Sequence, residues 1–537
     1  MTLQLHRSAH VDTFTRRNLP AEETWPDLLF PFPELQYPER LNCSDRLLDR
    51  WVREGHGDRC CVIGAREELT YAELQARANQ IARVLLEDLG MVPGNRVLLR
   101  SPNSPWAVAC WFGIIKAGGV VVATMPLLRR RELATIATTS ETHLALCDAR
   151  FTEELEQARV EGLRIVPFEG EGPHDLTLLA ATKATTFQNV DTAADDVAIL
   201  AFTSGTTGKP KGAMHFHRDL LATCDTFNRK VLAPKETDVF VGTPPLAFTF
   251  GLGGAILFPL DVGAATLLLE RNEPDGLLDQ ARRRGVTTMF SAPTFYRTLI
   301  PLLEAEPVPT LRAGVSAGET LPAATWEAFQ RATGVRLIDG LGSTEMLHIF
   351  IASTAEEARP GSTGTAVPGY VAEIQDDEGR TLPTGEVGLL AVKGPTGCRY
   401  LRGDRQGRYV QRGWNLTGDL YFQDQDGHFH YVSRADDMII SAGYNIAGPE
   451  VEGALLLHPD VEEVAVVGAP DPERGQVVKA FVHLRPGVVG DAAQAEALQD
   501  FCKEQIAPYK YPRAVEFVES LPRTETGKLQ RFKLRDA

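Results

Sequence analysis

Apolar and polar positions follow two rhythms through the first 430 residues. Short apolar runs such as Arg96-Val97-Leu98-Leu99-Arg100 read as strands, and the longer stretch from Trp106 to Lys116 has the spacing of an amphipathic helix. Gly118-Gly119 ends that helix, and Val120-Val121-Val122-Ala123 reads as the next buried strand. The alternation implies an α/β class. Between residues 355 and 434 the pattern changes to short strands separated by turns such as Asp376-Asp377-Glu378-Gly379 and Asp424-Gln425-Asp426-Gly427, which predicts a small β-rich subdomain.

Beyond Arg434 the pattern becomes a compact α+β unit. It predicts a helix near Pro449–Leu457, strands near Val464–Val467 and Val478–Leu484, and a helix near Ala492–Gln505. The expected organisation is a large N-terminal domain over 1–434, a hinge at 435–437 and a small C-terminal domain over 438–537. Ala435-Asp436-Asp437 is polar and free of bulky side chains, so Asp436 can absorb a backbone rotation. No repeat or low-complexity linker interrupts the chain.

The length of 537 residues exceeds what one core supports and fits one large and one small lobe. With 43% hydrophobic and 23% charged residues, the composition is that of an ordinary globular protein. A formal charge of −16 argues against nucleic acid as a partner. No stretch is long enough to span a membrane, and the N-terminal residues lack the apolar core of a secretory signal, so the cytoplasm is the expected compartment. The eight cysteines are scattered without zinc-site spacing and read as reduced thiols. His215 and His217 read as polar packing at a helix start, not as metal ligands.

Candidate chemistry begins at Leu200-Ala201-Phe202-Thr203-Ser204-Gly205-Thr206-Thr207-Gly208-Lys209-Pro210-Lys211-Gly212. An apolar run opening into hydroxyls, glycines and lysines suits a polyphosphate, because glycine backbones approach the oxygens while lysines offset their charge. ATP is the expected ligand. Only two residues separate Gly205 from Gly208 and Pro210 follows Lys209, so this is not a Walker loop. Further along, Asp339-Gly340-Leu341-Gly342-Ser343-Thr344-Glu345 lacks the third glycine of a dinucleotide fingerprint, and its adjacent hydroxyl and carboxylate suit Mg²⁺–phosphate chemistry. Asn415-Leu416-Thr417-Gly418-Asp419-Leu420 presents a carboxylate from a tight turn, and Pro522-Arg523-Thr524-Glu525-Thr526-Gly527-Lys528 carries a lysine near the C-terminus.

Taken together and in this order, these motifs resemble those of the adenylate-forming superfamily of acyl- and aryl-CoA synthetases, luciferases and peptide synthetase adenylation domains. The resemblance implies that Thr203, Ser204, Gly205, Thr206, Thr207 and Lys211 hold the ATP phosphates. It gives Thr344 the α-phosphate and Glu345 the Mg²⁺, and passes adenine along Ala317-Gly318-Glu319 and Asp339-Gly340-Leu341, with Leu341 where the family commonly has tyrosine. It places the ribose on Asp419, partnered by Arg434, with Tyr431 nearby. Lys528 would bridge the substrate carboxylate and the α-phosphate, and Gly443, in Ser441-Ala442-Gly443-Tyr444-Asn445, would line the path of CoA after rotation about Asp436.

The substrate pocket implied by the resemblance comprises Phe248, Phe250, Ala317, Gly342, Leu347 and His348, with Phe248 where histidine is common. The stretch Gly342–Phe350, the run Arg359-Pro360-Gly361-Ser362-Thr363-Gly364 and the start at Asn18-Leu19-Pro20 are similar to the benzoate-CoA ligase branch, and within it to 2-aminobenzoate (anthranilate)-CoA ligases. The implied reaction converts an aromatic carboxylate, ATP and CoA into aryl-CoA, AMP and pyrophosphate. The alternatives are an aryl-AMP ligase that loads a carrier protein, a short- or medium-chain acyl-CoA synthetase, and a non-catalytic ATP sensor.

Overall fold

The computed structural model describes residues 5–203, 211–403, 405–441, 444–471, 474–523 and 529–535. Arg96–Arg100 lies between Val120–Thr124 and Leu144–Asp148 in a six-stranded sheet, flanked by Arg164–Phe168 on one side and by Val197–Thr203 and Lys211–Phe216 on the other. Its strands are parallel except for the last pair, which runs antiparallel.

The helix after Arg96–Arg100 spans Pro105–Lys116, with the Ser104 hydroxyl accepting from the Ala107 N–H at 3.2 Å. It is not amphipathic: all 12 of its residues are buried, and Lys116 gives up its water only because its ammonium meets Asp49. Helix Tyr71–Arg83 packs against it and begins at a reciprocal cap, in which Thr70 Oγ1 accepts from the Glu73 N–H while the Glu73 carboxylate accepts from the Thr70 N–H at 2.8 Å.

A second, nine-stranded sheet carries the parallel run Leu337–Gly342, Ala313–Ala317, Thr288–Ser291, Val239–Gly242, Ala265–Leu267 and Cys60–Ile63, with antiparallel edges. Residues 371–434 form a five-stranded antiparallel sheet, turned by Asp376–Gly379 and Asp424–Gly427. Tyr421 and Phe429 of this sheet join the same core cluster as Phe112 and Phe350, which packs it onto the large domain.

The C-terminal domain is a mixed sheet built on the hairpin Val461–Asp471 and Gly475–Leu484, with Ala514–Phe517 added in parallel and helices Gly448–Leu455 and Ala492–Gln505 covering it. The hairpin strands extend well past the predicted runs. All eight cysteines are free thiols. Among the described residues no helix is long and apolar enough to cross a membrane.

Candidate active site

Strands Val197–Thr203 and Lys211–Phe216 pair so that Thr203 stands opposite Lys211. The chain therefore leaves and re-enters the sheet at one point around the predicted phosphate loop. Ser204, Gly205, Thr206, Thr207, Gly443 and Lys528 lie outside the described residues, as does the Thr203 side chain.

Side chains alternate along a strand, so Lys211 and His215 share one face of Lys211–Phe216. The segment Arg399–Leu401 lies along this strand, held by Met214 N–H to the Arg399 carbonyl and Leu401 N–H to the Gly212 carbonyl, both 2.8 Å. That pairing sets Tyr400 opposite Ala213, with the Lys211 ammonium 5.7 Å from the centre of its ring. The Tyr400 hydroxyl donates to Glu345 Oε1. Burial and the Glu345 charge hold the phenol far above its usual range, so the proton stays on tyrosine. Burial and the nearby Arg405 hold Lys211 below the usual lysine value, with Glu345 opposing them.

Thr344 and Glu345 occupy the turn between strands Leu337–Gly342 and Ile349–Ala352, where the Leu347 N–H bonds the Thr344 carbonyl at 3.2 Å. Leu347 is fully buried with φ of 72°, a left-handed conformation that costs a side-chain-bearing residue about 1–3 kcal/mol. Surrounding bonds hold it. Met346 N–H reaches Ser343 Oγ at 3.2 Å, Tyr409 meets the same hydroxyl at 3.0 Å, and Thr396 donates to the Met346 carbonyl at 2.8 Å.

His215 Nε2 lies 2.8 Å from the Thr344 carbonyl, so Nε2 carries the proton. Burial lowers this imidazole to about 4, against the opposing charge of Asp219. His215 is thus a strand residue and not part of a helix start; His217 opens helix His217–Thr223, with Nδ1 3.3 Å from the Cys43 sulfur. Among the described residues no three His, Cys, Asp or Glu side chains are grouped to hold a metal by themselves.

Ser316 and Asp339 stand in register on adjacent parallel strands, and beside them Ala317 pairs with Gly340. Ala317 is buried, Gly318 beyond it is exposed with φ of 92°, and Glu319 is half-buried. Asp339 keeps part of its surface open yet is deeply enclosed, and burial pushes its carboxyl up to about 8 with the Gly340 N–H opposing. Leu341 is half-buried against the main core.

Asp419 and Arg434 are cross-strand partners, joined by Arg434 Nη1 to Asp419 Oδ1 at 2.8 Å. Arg434 also donates to the Thr417 carbonyl at 3.0 Å. Burial works against the Arg434 charge, but Asp419 outweighs it and holds the guanidinium above its ordinary value. Gly418 lies not in the expected tight turn but in an irregular stretch of strand Trp414–Gln423; its φ is 76°, and a Cβ there would stand 2.9 Å from Arg434 Nη2, so the position needs glycine. Tyr431 lies on the adjacent strand with its ring 5.4 Å from Tyr421. Asp436 is exposed in the turn Ala435–Asp437, 3.6 Å from Arg434 Nε.

Phe250 and His348 meet at a ring separation of 5.7 Å, within a cluster that adds Phe227 at 5.6 Å and Phe258 at 4.5 Å from the imidazole. A Cβ at Gly253 would fall 2.3 Å from His348 Nε2, so that glycine makes room for the ring. Burial pushes His348 down to about 3, offset in part by the Phe250 backbone, and neither ring nitrogen has a partner at hydrogen-bond geometry. Gly342 lies against the His348 backbone. Phe248 caps helix Thr249–Leu252 and is half-buried.

The structure therefore gathers Lys211, Thr344 and Glu345 in one group, Asp419, Tyr431 and Arg434 in a second, and Phe250, Leu347 and His348 in a third. Tyr409 stands beside the first, its hydroxyl 3.0 Å from Ser343 Oγ and its ring 6.1 Å from that of Tyr400, and burial raises its phenol. Sequence reasoning missed Tyr400, Tyr409 and the role of His215. The period-two alternation that sets His215 on the face of Lys211 was the available signal for the histidine.

The family model for AMP-binding enzymes matches residues 48–400, and that for the AMP-binding enzyme C-terminal domain matches residues 450–528. Benzoate–CoA ligase of Thauera aromatica is 36% identical over 514 residues, covering 94% of this chain and 98% of that protein. The 4-hydroxybenzoate–CoA/benzoate–CoA ligase of Rhodopseudomonas palustris is 32% identical over 509 residues, covering 92% and 94%. The crystal structure of the anthranilate CoA ligase AuaEII in complex with anthranoyl-AMP superposes with a TM-score of 0.88 at 34% identity, over 94% of this chain and 98% of that one.

Proposed function

The chain belongs to the adenylate-forming AMP-binding superfamily, in its benzoate-CoA ligase branch, and from that premise we propose that it joins 2-aminobenzoate, or benzoate, to CoA using ATP. A substrate carboxylate oxygen attacks the α-phosphorus and pyrophosphate leaves. The CoA thiolate then attacks the aryl-adenylate carbonyl and AMP leaves. Charge stabilisation and positioning carry both steps.

In this reading Thr203, Ser204, Gly205, Thr206, Thr207 and Lys211 hold the β- and γ-phosphates, and Thr344 holds the α-phosphate. Adenine lies between Ala317-Gly318-Glu319 and Asp339-Gly340-Leu341, and the ribose hydroxyls bond Asp419, which Arg434 orients beside Tyr431. Glu345 suits Mg²⁺: one carboxylate oxygen accepts from Tyr400 and no protein cage of three ligands surrounds it among the described residues, as expected where phosphate and water complete the shell. When bound, the ion offsets charge on the phosphates. Lys528 serves the first half-reaction, and rotation about Asp436 exchanges it for the Gly443 loop and CoA.

The observation that carries the choice of acid is His348. A neutral imidazole among Phe227, Phe250 and Phe258, with the Phe250 backbone beside one nitrogen, can pair through the other with an ortho amino group on a flat ring. An aliphatic chain in the same place would leave that buried nitrogen unpaired.

Mass spectrometry of products formed from MgATP with 2-aminobenzoate or benzoate, with and without CoA, tests the reading. Aminobenzoyl-CoA formed faster than benzoyl-CoA supports it. An adenylate that accumulates and ignores CoA would move the protein to the carrier-loading class, and turnover of short- or medium-chain fatty acids alone would remove the aromatic assignment.

A further inference from the structure

Four charged side chains alternate in sign where the two domains meet. Arg297, on helix Pro293–Ala305 of the large domain, donates from Nη2 to Glu463 Oε1 at 2.7 Å. Glu463 stands near the start of the small-domain strand Val461–Asp471. The same oxygen accepts from Arg523 Nη2 at 3.2 Å, and Arg523 Nη1 reaches Glu319 Oε1 of the large domain at 3.3 Å. Each domain thus contributes one cation and one anion, and two of the three bonds cross the boundary.

Arg523 also pairs with Leu529 in an antiparallel bridge, which makes the pair the base of the connection that carries Lys528. Glu319 ends the segment assigned above to adenine. The orientation described here therefore anchors the base of the Lys528 connection beside the nucleotide site.

We propose that Arg297 and Glu463 form a latch that holds the small domain in the adenylate-forming orientation, making Arg297 a positioning residue for the first half-reaction; this rests on the two-step reading above. Glu463 and Arg523 belong to one domain and keep their bond through a rotation, whereas Arg297 gains its partner only in this orientation. Arg297 is the group of the pair that distinguishes the two states. The side chains keep between 17% and 34% of their surface exposed, so the latch is screened by salt.

The test uses the full chain with Arg297→Met, which keeps the apolar stem, and Arg297→Lys, which keeps the charge. Adenylate formation and thioester formation from supplied aryl-AMP are measured separately at low salt and at about 0.5 M KCl. Arg297→Met should slow adenylate formation by about 5- to 20-fold and leave thioester formation within about twofold, as a shifted two-state equilibrium requires. Raising the salt should slow adenylation by the parent more than by this variant, which keeps the Arg523–Glu319 pair across the boundary, and Arg297→Lys should restore most of the rate. Equal loss in both half-reactions, or parental salt dependence in Arg297→Met, overturns the latch.

Hydrogen exchange over residues 293–305 and 461–471 gives a readout independent of chemistry. Faster exchange in Arg297→Met supports the latch even if no acid is adenylated, an outcome that would sink the proposed function alone. Exchange identical to the parent overturns the latch whatever the activity.

Discussion

The His215 imidazole donates from Nε2 to the Thr344 carbonyl at 2.8 Å and thereby ties strand Lys211–Phe216 to the turn that carries Glu345. Replacing His215 with leucine leaves that carbonyl with only the Leu347 N–H, which costs about 1–3 kcal/mol and frees the turn. His215→Leu should lower adenylate formation by about tenfold with little change in KM for the acid, while His215→Gln, which can still donate, keeps most of the rate. Steady-state kinetics on both variants, alongside urea denaturation, checks this. Equal impairment by Gln and Leu would show that ring packing matters and the bond does not.

Burial lowers four histidines below the ordinary value of 6.5: His10, His215 to about 4, and His217 and His348 to about 3. The unfolded chain takes up protons at these sites near pH 6.5 while the folded chain does not. Their contribution to stability is therefore fully present above that pH and is lost as pH falls toward 4. Denaturation midpoints should drop steeply over this window, with up to about one proton per histidine taken up on unfolding. The slope should be shallower in His217→Gln, and a slope unchanged by that substitution would remove this site from the account.

Tyr400 is the hydroxyl that fixes Glu345, with Lys211 over its ring. Tyr400→Phe keeps the ring and deletes the bond, so Glu345 should lose orientation while the fold stays intact. The Mg²⁺ concentration needed for half-maximal adenylation should rise by about 3- to 10-fold, and direct Mn²⁺ binding in the presence of a non-hydrolysable ATP analogue should weaken in parallel. Glu345→Gln should be more severe in both. Unchanged metal affinity in Tyr400→Phe would leave the tyrosine with only a packing role.

These contacts mark where the sequence stopped being informative. Strands Arg96–Arg100 and Val120–Thr124 were legible because their signal is local: a short apolar run closed by charge or glycine. Helix Pro105–Lys116 was located but misread as amphipathic, since what buries Lys116 is Asp49, 67 residues away. Tyr400 meets Glu345 across 55 residues and carries no motif of its own. The left-handed backbone of Leu347 is imposed by Thr396, Ser343 and His215, and leucine composition gives no hint of it. Motifs report the chemistry of a site, and the bonds that orient it are tertiary.

Asp339 is held neutral by burial up to about pH 8, so asparagine is its isosteric counterpart at neutral pH. Bound ATP would enclose the carboxyl further and bring negative phosphates into the site, both of which favour the protonated form. ATP affinity should therefore fall as pH rises through 8. Asp339→Asn should bind ATP within about threefold of the parent at pH 7 and lose that dependence. Calorimetric titrations at pH 7 and 9 decide the matter; a variant much weaker at pH 7 would mean that the ionised carboxylate binds the nucleotide.

The turn Ala435–Asp437 lies between strand Phe429–Arg434 of the five-stranded sheet and strand Ile439–Ser441 of the C-terminal sheet, and Asp436 within it is exposed, with Arg434 Nε 3.6 Å away. A proline at 436 would fix φ near −65° without opening a cavity, so its effect falls on rotation and not on packing. Asp436→Ala removes the same carboxylate and leaves φ free, which separates the ion pair from the backbone. Overall turnover should drop by at least about tenfold in Asp436→Pro, with one half-reaction near parental and the other lost, whereas Asp436→Ala stays within about threefold. Measured singly, adenylate formation and thioester formation reveal which orientation the proline has locked. Full turnover in Asp436→Pro would place the rotation at another bond, with Ala435 and Asp437 the next to restrict.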